Sequence, residues 1–241
     1  LDAFKSNRHV PLVLPKIKMT WNKNYKNGFN REIKLNSAII AKADASNMQK
    51  LSLKGIWTKN NFFESGQLLD IKLSARGDIY KNKKTDNSKV IGNKGSYTTL
   101  RAIPKIDIKW TFPLADYGVN KTFILAPIIQ AIVTPKGGNP DDIHNLDSVD
   151  LELNDSNLFS SDRFAGTDRI EEGTRLNFGF KYDIFSSQYG DIKSLIGRSY
   201  SPLNAQKEKI DGSGLNKGLS DIVGNIKYNY NDLISLSYKY R

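Results

Sequence analysis

Apolar and polar residues alternate along much of this chain, and this period of two restricts the fold more than any other feature. Between positions 106 and 112, Ile, Ile, Trp and Phe take every second position, with Asp, Lys and Thr between them. Similar runs lie at 69–76, 176–182 and 234–240, with shorter ones at 17–21, 51–53, 149–153 and 226–230. Because successive side chains of a strand point to opposite faces, these runs predict strands with one apolar and one polar face. Helical spacing is hard to find, so we expect an all-β protein.

The connections between these runs differ in length. The stretches NKNYKNGFN and KNNFFESG are short, whereas KNKKTDNSKVIGNKGSY and SPLNAQKEKIDGSGLNKGLSD are long. Short turns on one side and long loops on the other are typical of outer-membrane barrels. Loops above about 12 to 15 residues are uncommon in compact soluble domains.

Two of the predicted strands resemble each other, PKIKMTW from Pro15 and PKIDIKW from Pro104. We interpret both prolines, and Pro127, as residues that begin strands, where the missing N–H does least harm to the hydrogen-bond ladder. Both stretches end in Trp, and an aromatic residue at a strand end fits the girdle of a membrane barrel. Chance similarity between two strands explains the resemblance equally well.

Two architectures fit strands with one apolar face. In a soluble β-sandwich the apolar face packs on a second sheet and the polar face meets water. In a wide membrane barrel the apolar face meets lipid and the polar face lines a wet interior. Both give the same alternation. The aromatic strand ends and long loops favour an antiparallel transmembrane β-barrel, and no run approaches the roughly 20 apolar residues of a spanning helix.

The chain carries 36 Lys and Arg against 25 Asp and Glu, a net charge of +11. A codon bias toward Lys and Asn explains this charge as well as an anionic partner does. The basic residues are spread along the chain, and no RRM, KH, zinc-finger or helix-turn-helix signature is present. We therefore expect no nucleic-acid partner and keep a membrane surface or a phosphorylated ligand as candidates.

The residue types of enzyme and metal sites are scarce. The chain has no Cys and two His, and neither His9 nor His144 has a second ligand at metal spacing. The GNKG and GSG stretches lack the strand and helix of a phosphate loop. Adjacent carboxylates such as Glu171 and Glu172 are too common in turns to indicate acid–base chemistry. The sequence predicts no enzyme, no metal and no cofactor.

The most distinctive stretch is NLFSSDRFAGTDRIEEGTR, residues 157–175. It places Arg163, Arg169 and Arg175 six residues apart. In an extended segment these arginines would share one face and could bind an anionic ligand. This even spacing is one of two interpretations of the stretch.

The second interpretation rests on the glycines and aspartates of the same stretch. Gly166 and Gly173 indicate turns, and Asp162 and Asp168 each stand directly before an arginine. Because a guanidinium group matches carboxylate geometry, such a loop can be held together by its own ion pairs. This interpretation, a salt-bridged loop at the end of a strand, is the one we favour.

The same stretch resembles the characteristic segment of the LptD family of outer-membrane lipopolysaccharide-assembly proteins, once called organic solvent tolerance proteins. Further pieces resemble the family in the same order: LRAIPKIDIKW, FILAPIIQAIVTP, GRSY and LISLSYKYR. The residues that match the family motif are Asn157, Phe159, Asp162, Arg163, Gly166, Asp168, Arg169, Gly173 and Arg175. The resemblance covers most of the chain from about position 100 onward.

The resemblance implies that residues 1–241 are part of a large outer-membrane barrel, with the family's periplasmic N-terminal domain and signal peptide outside this segment. At about 20 residues for a strand and its connection, this part of the barrel is expected to hold roughly 10 to 12 strands. It implies transport of lipopolysaccharide and its insertion into the outer leaflet. The implied partners are lipopolysaccharide, an LptE-type lipoprotein plug, a periplasmic Lpt bridge protein and outer-membrane lipid. A general porin and a soluble β-sandwich that binds an anionic saccharide remain the alternatives.

Overall fold

The computed structural model describes residues 12–41, 47–83, 96–143, 145, 147–148, 152–202, 213–215, 218–231 and 233–241. The regular elements of these segments are all β-strands, which confirms the all-β prediction. None of the described segments is a helix long and apolar enough to cross a membrane. The strands are β1 (Leu12–Asn24), β2 (Phe29–Ala41), β3 (Asn47–Phe62), β4 (Leu68–Lys83), β5 (Ser96–Thr111), β6 (Leu114–Tyr117), β7 (Thr122–Thr134), β8 (Gly173–Phe185), β9 (Asp191–Ser201), β10 (Gly218–Leu219), β11 (Val223–Tyr230) and β12 (Ile234–Tyr240).

The strands form a single twelve-stranded antiparallel sheet. Its order follows the chain, β1-β2-β3-β4-β5-β7-β8-β9-β11-β12, while β6 adds to β7 and β10 adds to β9. The strand number agrees with the predicted 10 to 12. Strands β1 and β12 are the two ends of this order, and the described residues contain no pairing between them. The fold is therefore a meander in which each long strand pairs with its neighbours in the chain.

The two edges of the sheet carry different connections, as the turn composition predicts. By edge we mean here a line of strand ends, not an outer strand. One edge, which we name the short-turn edge, carries the connections 25–28, 63–67, 112–121, 186–190 and 231–233. The opposite edge, which we name the long-loop edge, carries 42–46, 84–95, 135–172 and 202–222.

One face of the sheet, the apolar face, is exposed. Its pairing continues across strands: Trp57 lies opposite Leu73, and Leu73 opposite Ile106. Side chains on this face that are at least 36% exposed include Ile17, Met19, Trp21, Leu53, Trp57, Leu73, Ile106, Ile108, Ile129, Phe180, Ile196, Ile226 and Leu236. A soluble protein normally places such residues inside.

The other face, the polar face, is buried over much of its area. Its residues with at most 7% exposure include Ser52, Asp78, Arg101, Lys105, Asp107, Gln130, Arg175, Asn177 and Ser199. Charged side chains are rarely this buried unless they are paired. The sheet is thus inverted relative to a soluble protein, with its charges inside and its apolar residues outside.

The prolines do not begin strands, so that prediction is wrong. Pro15, Pro104 and Pro127 lie inside β1, β5 and β7. Each proline instead lies where the hydrogen-bond ladder to a neighbouring strand is interrupted. Pro15 lies in the register shift of β1, Pro104 just outside the β5–β7 ladder, and Pro127 between the β5 and β6 ladders of β7. A residue without an N–H is tolerated at such points because no ladder bond is lost.

The short run predicted at 149–153 lies mostly outside the described residues. Positions 149 and 151 lie outside the described residues, and Leu153 lies in a loop. Strands β2 and β9, which the alternation did not single out, complete the sheet.

Candidate functional site

The connection between β7 and β8, residues 135–172, lies on the polar face, and we name it the covering loop. It leaves and re-enters the sheet at the long-loop edge, where Thr134 pairs with Gly173. Its described parts are 135–143, 145, 147–148 and 152–172. The following contacts hold it on β3, β4, β5, β7 and β8.

Two small apolar clusters anchor the covering loop. In the first cluster, Ile143 of the loop packs with Ile40 of β2, Met48 of β3 and Tyr80 of β4. In the second cluster, Leu153 and Leu158 of the loop pack with Val223 of β11. These clusters exclude water from the polar contacts between them, and low local polarity strengthens those contacts.

Lys50 of β3 forms the first polar anchor. Its ammonium donates to the carboxylate of Asp168, to the hydroxyl of Thr167, and to Asp147 Oδ2 at 3.3 Å. The Tyr80 hydroxyl donates to Asp168 Oδ1 at 3.2 Å. The side chains of Lys50 and Asp168 are 6% and 1% exposed. Because an unpaired buried charge is costly, each member of this group needs the others.

Arg101 of β5 forms the second anchor, and its guanidinium reaches both the sheet and the loop. Its Nε donates to Asp78 Oδ2 at 2.6 Å, which fixes the side chain on the sheet. Its Nη1 donates to the backbone oxygens of Gly138 at 2.9 Å and Asp168 at 2.6 Å. Its Nη2 donates to the Tyr80 hydroxyl at 3.0 Å. A single guanidinium thus holds two separate parts of the covering loop, because its N–H donors point in several directions.

Glu171 forms the third anchor, between two arginines. Arg163 Nε lies 2.9 and 3.0 Å from its two carboxylate oxygens, and Arg175 Nη1 lies 2.8 Å from Oε2. The Arg175 Nη2 also donates to the backbone oxygens of Ser160 and Ser161 at 2.7 and 3.0 Å. Burial opposes ionisation of Glu171, but Arg175 and Arg163 outweigh it and hold the carboxyl pKa below its usual value.

Asp147 fixes the turn that presents Asp168. Its Oδ1 accepts the backbone N–H groups of Thr167 at 2.8 Å and Asp168 at 2.7 Å. Burial opposes its ionisation, yet the hydroxyl and N–H of Thr167, followed by Lys50, lower the pKa of Asp147. Gly166 has a φ of +96°, and a Cβ there would lie 2.1 Å from the Asp147 backbone oxygen. Only glycine therefore fits this turn.

A row of hydrogen bonds continues along the polar face under the deepest part of the loop. Gln130 Nε2 donates to Asp107 Oδ1 at 2.8 Å and to the Phe159 backbone oxygen at 3.2 Å. Asn177 Nδ2 donates to Gln130 Oε1 at 2.9 Å, and Ser199 Oγ donates to Asn177 Oδ1 at 2.7 Å. The row crosses β5, β7, β8 and β9, so its residues satisfy one another across the sheet.

The stretch that carries the three arginines is not extended before Gly173, where β8 begins. Arg163 and Arg175 converge on Glu171, whereas the backbone N–H of Arg169 donates to Ser148 Oγ at 3.0 Å. The interpretation that places all three on one extended face is therefore wrong. The turns at Gly166 and Gly173, both with positive φ, break the extension.

The remaining motif residues shape and attach the loop. Asn157 Oδ1 accepts the Asn154 backbone N–H at 2.9 Å, and Asn154 Oδ1 accepts that of Asn157 at 3.1 Å, which closes a turn. Asp162 pairs with Lys105 of β5 at 3.0 Å. The ion pairs of the motif thus join the loop to the sheet and also join residues within the loop.

Sequence reasoning missed Glu171 and the partners in the sheet. Glu171 was set aside as one of a common pair of turn carboxylates, yet it is 2% exposed and binds two arginines. Lys50, Asp78 and Arg101 lie on the polar face of β3, β4 and β5. Their polar positions in the alternation were the available signal, but that signal does not distinguish buried charges from solvated ones.

The described fold and site define a class: an all-β protein whose sheet exposes its apolar face and buries its charged face under its own loop. The family model of LPS transport system D, LptD, matches residues 1–241, and the chain belongs to this family. Members of this family are outer-membrane proteins that act in lipopolysaccharide transport and assembly, and they are not enzymes. No curated protein matches the chain.

Proposed function

We propose that this chain forms part of the wall of an outer-membrane β-barrel that transports lipopolysaccharide and inserts it into the outer leaflet. The observation that carries this proposal is the exposed apolar face. It extends from Met19 in β1 to Leu236 in β12 while the opposite face is charged and buried over much of its area. Single exposed apolar residues are ordinary, but a continuous apolar face of this size marks contact with another apolar phase. Lipid supplies that phase.

The soluble sandwich is less well supported. It needs a second sheet on the apolar face, and the part of the chain that the structure describes holds one sheet. Aromatic side chains also lie near the short-turn edge of the apolar face, where Trp21 and Tyr182 are 52% and 41% exposed. Aromatic residues at strand ends are typical of membrane interfaces.

Family membership supports the cargo and the partners of the proposal. The cargo is lipopolysaccharide, the partners are an LptE-type lipoprotein plug and a periplasmic bridge protein, and the location is the outer membrane. Residues 1–241 belong to the barrel domain in this proposal. The motif residues from Asn157 to Arg175 serve to attach the covering loop to the barrel wall, and a polar, basic inner face suits a phosphorylated saccharide.

The proposal is tested by photocrosslinking in the full-length protein. A photoreactive residue replaces Lys181, which is exposed on the polar face of β8, and a matched one replaces Ile226 on the apolar face. Lipopolysaccharide adducts detected through the saccharide are expected at Lys181 and phospholipid adducts at Ile226. Absence of saccharide adducts at Lys181, with a heat-modifiable and therefore folded barrel, would favour a general porin over an exporter.

A further inference from the structure

A row of like charges crosses the polar face between the covering loop and the short-turn edge. Lys34 of β2 lies directly opposite Lys54 of β3, and Lys54 lies directly opposite Arg76 of β4. Like charges directly opposite each other destabilise a sheet. Such a row therefore requires compensating negative charge.

Both ends of this row have an acidic partner, although Arg76 shares Asp78 with Arg101. Arg76 Nε donates to Asp78 Oδ1 at 2.9 Å. Lys34 Nζ lies 3.1 Å from Glu32 Oε1, in a pair that remains partly exposed. The central Lys54 is partly buried, and its ammonium makes no hydrogen bond or ion pair with any residue in the described ranges. The centre of the row thus has no direct ion-pair partner among the described residues.

The row opens into a cavity of about 580 Å³. The covering loop forms one wall, through Ser160, Ser161 and Asp162. Lys72 and Lys105 also line the cavity. Lys72 Nζ donates to Ser161 Oγ at 3.3 Å, and Lys105 Nζ donates to Asp162 Oδ2 at 3.0 Å. The two carboxylates that line the cavity, Asp162 and Glu32, are each paired with a lysine, and the lining keeps an excess of positive charge.

The remaining lining is rich in uncharged polar groups. Amide and hydroxyl side chains line the side nearest the short-turn edge: Asn22, Asn24, Asn30, Thr58 and Ser74. These groups both donate and accept hydrogen bonds, as sugar hydroxyls do. Ammonium groups beside such a lining suit an anion carried on a saccharide.

We propose that this cavity is a binding site for a phosphoryl group, held by Lys54 and flanked by Lys34 and Lys72. A phosphoryl dianion accepts several charge-assisted hydrogen bonds and neutralises the centre of the row. If the chain transports lipopolysaccharide as proposed above, the phosphorylated saccharide of the cargo is its source; free inorganic phosphate is the other source. The site lies on the polar face between the covering loop and the short-turn edge.

The first test measures the thermal midpoint of the full-length protein in detergent against inorganic phosphate, with chloride at equal ionic strength as reference. Lys54→Met removes the central charge and keeps most of the side-chain stem. Lys109→Met is the matched control, because Lys109 also lies on the polar face but is paired with Asp70 at 3.2 Å. Phosphate should stabilise the wild type and Lys109→Met. Its apparent affinity should fall about tenfold or more in Lys54→Met.

Without phosphate, Lys54→Met should be at least as stable as the wild type, since the substitution relieves the repulsion within the row. A lysine with a merely structural role would lose stability instead. Equal phosphate stabilisation of wild type and Lys54→Met, or none in the wild type, overturns the site.

The second arm identifies the source of the phosphoryl group. Lipopolysaccharide and its chemically dephosphorylated form are compared as ligands of the wild type and Lys54→Met. A preference for the phosphorylated form that depends on Lys54 assigns the site to the cargo. Phosphate binding without that preference identifies free phosphate as the ligand and overturns the assignment to the cargo. The crosslinking at Lys181 tests the proposed function separately, so the two failures are distinguishable.

Discussion

At the scale of single residues, attachment of the covering loop depends on charges that no solvent neutralises. Glu171 and Arg175 are each 2% exposed, and Arg163 is 7% exposed. Each arginine is held by the same carboxylate. The removal of one member of a buried ion pair costs more than the pair contributes, because it leaves its partner charged and unpaired.

Replacement of Glu171 is therefore expected to release the loop. Glu171→Gln should lower the free energy of unfolding by about 3 to 5 kcal/mol, measured by urea denaturation of the full-length protein in detergent. Glu172→Gln is the control, since the Glu172 carboxylate accepts the backbone N–H of Gly137 at 3.2 Å and has no arginine partner in the described ranges. Equal losses in the two variants would argue against Glu171 as an anchor.

The turn at Gly166 gives a second prediction at this scale. Gly166 and Gly137 both have a positive φ, +96° and +92°, but a Cβ at Gly137 would meet nothing within 4 Å. Gly137→Ala should cost about 1 to 2 kcal/mol from backbone strain alone. Gly166→Ala should cost clearly more, because its Cβ would overlap the Asp147 backbone and displace Asp168 from Lys50. Thermal midpoints of the two variants measure the difference, and similar shifts would contradict it.

At the scale of elements, the alternation predicts a strand only where apolar residues occupy the apolar face along most of its length. It predicts β4, β5, β8 and β12 because their apolar positions are filled by apolar residues without interruption. It does not single out β2 and β9, since Arg31 and Ser37 of β2 and Ser194 and Arg198 of β9 occupy the apolar face. These strands form because their neighbours on both sides supply hydrogen-bond partners, which the segment alone does not reveal.

The prolines yield the prediction for this scale. Pro104 lies outside the β5–β7 ladder, whereas Ile108 is paired on both sides, with Ile71 and Ala131. Pro104→Ala should leave assembly intact. Ile108→Pro should prevent it, because proline removes a ladder bond from the middle of the sheet. The heat-modifiable fraction on a gel reports assembly, and a folded Ile108→Pro barrel would refute the pairing of β5 described above.

At the scale of the whole molecule, the distribution of polarity between the faces determines the surroundings in which the protein is stable. In the proposed barrel, the cost of a charge on the apolar face depends on its depth in the bilayer. Leu73 lies toward the middle of β4, and Tyr182 lies near the short-turn end of β8. Both point to the same face, at 47% and 41% exposure.

Leu73→Arg is expected to cost about 2 to 4 kcal/mol and Tyr182→Arg about 0 to 1 kcal/mol. The measurement is the free energy of folding into lipid bilayers from urea. If the apolar face did not contact the bilayer, depth in the bilayer would not set these costs. Equal costs at the two positions would therefore count against contact of this face with lipid.

Short stretches of the sequence are enough to predict the strand class, the existence of an apolar and a polar face, the unequal connections at the two edges and the family motif. These properties are local, because they follow from side-chain period, turn residues and residue order within short segments. The tertiary structure alone decided which charges meet. Glu171 binds Arg163 and Arg175 because turns at Gly166 and Gly173 fold the motif back on itself, and Lys34, Lys54 and Arg76 form a row because cross-strand register aligns them. Register and loop closure depend on the whole sheet, so no segment encodes them alone.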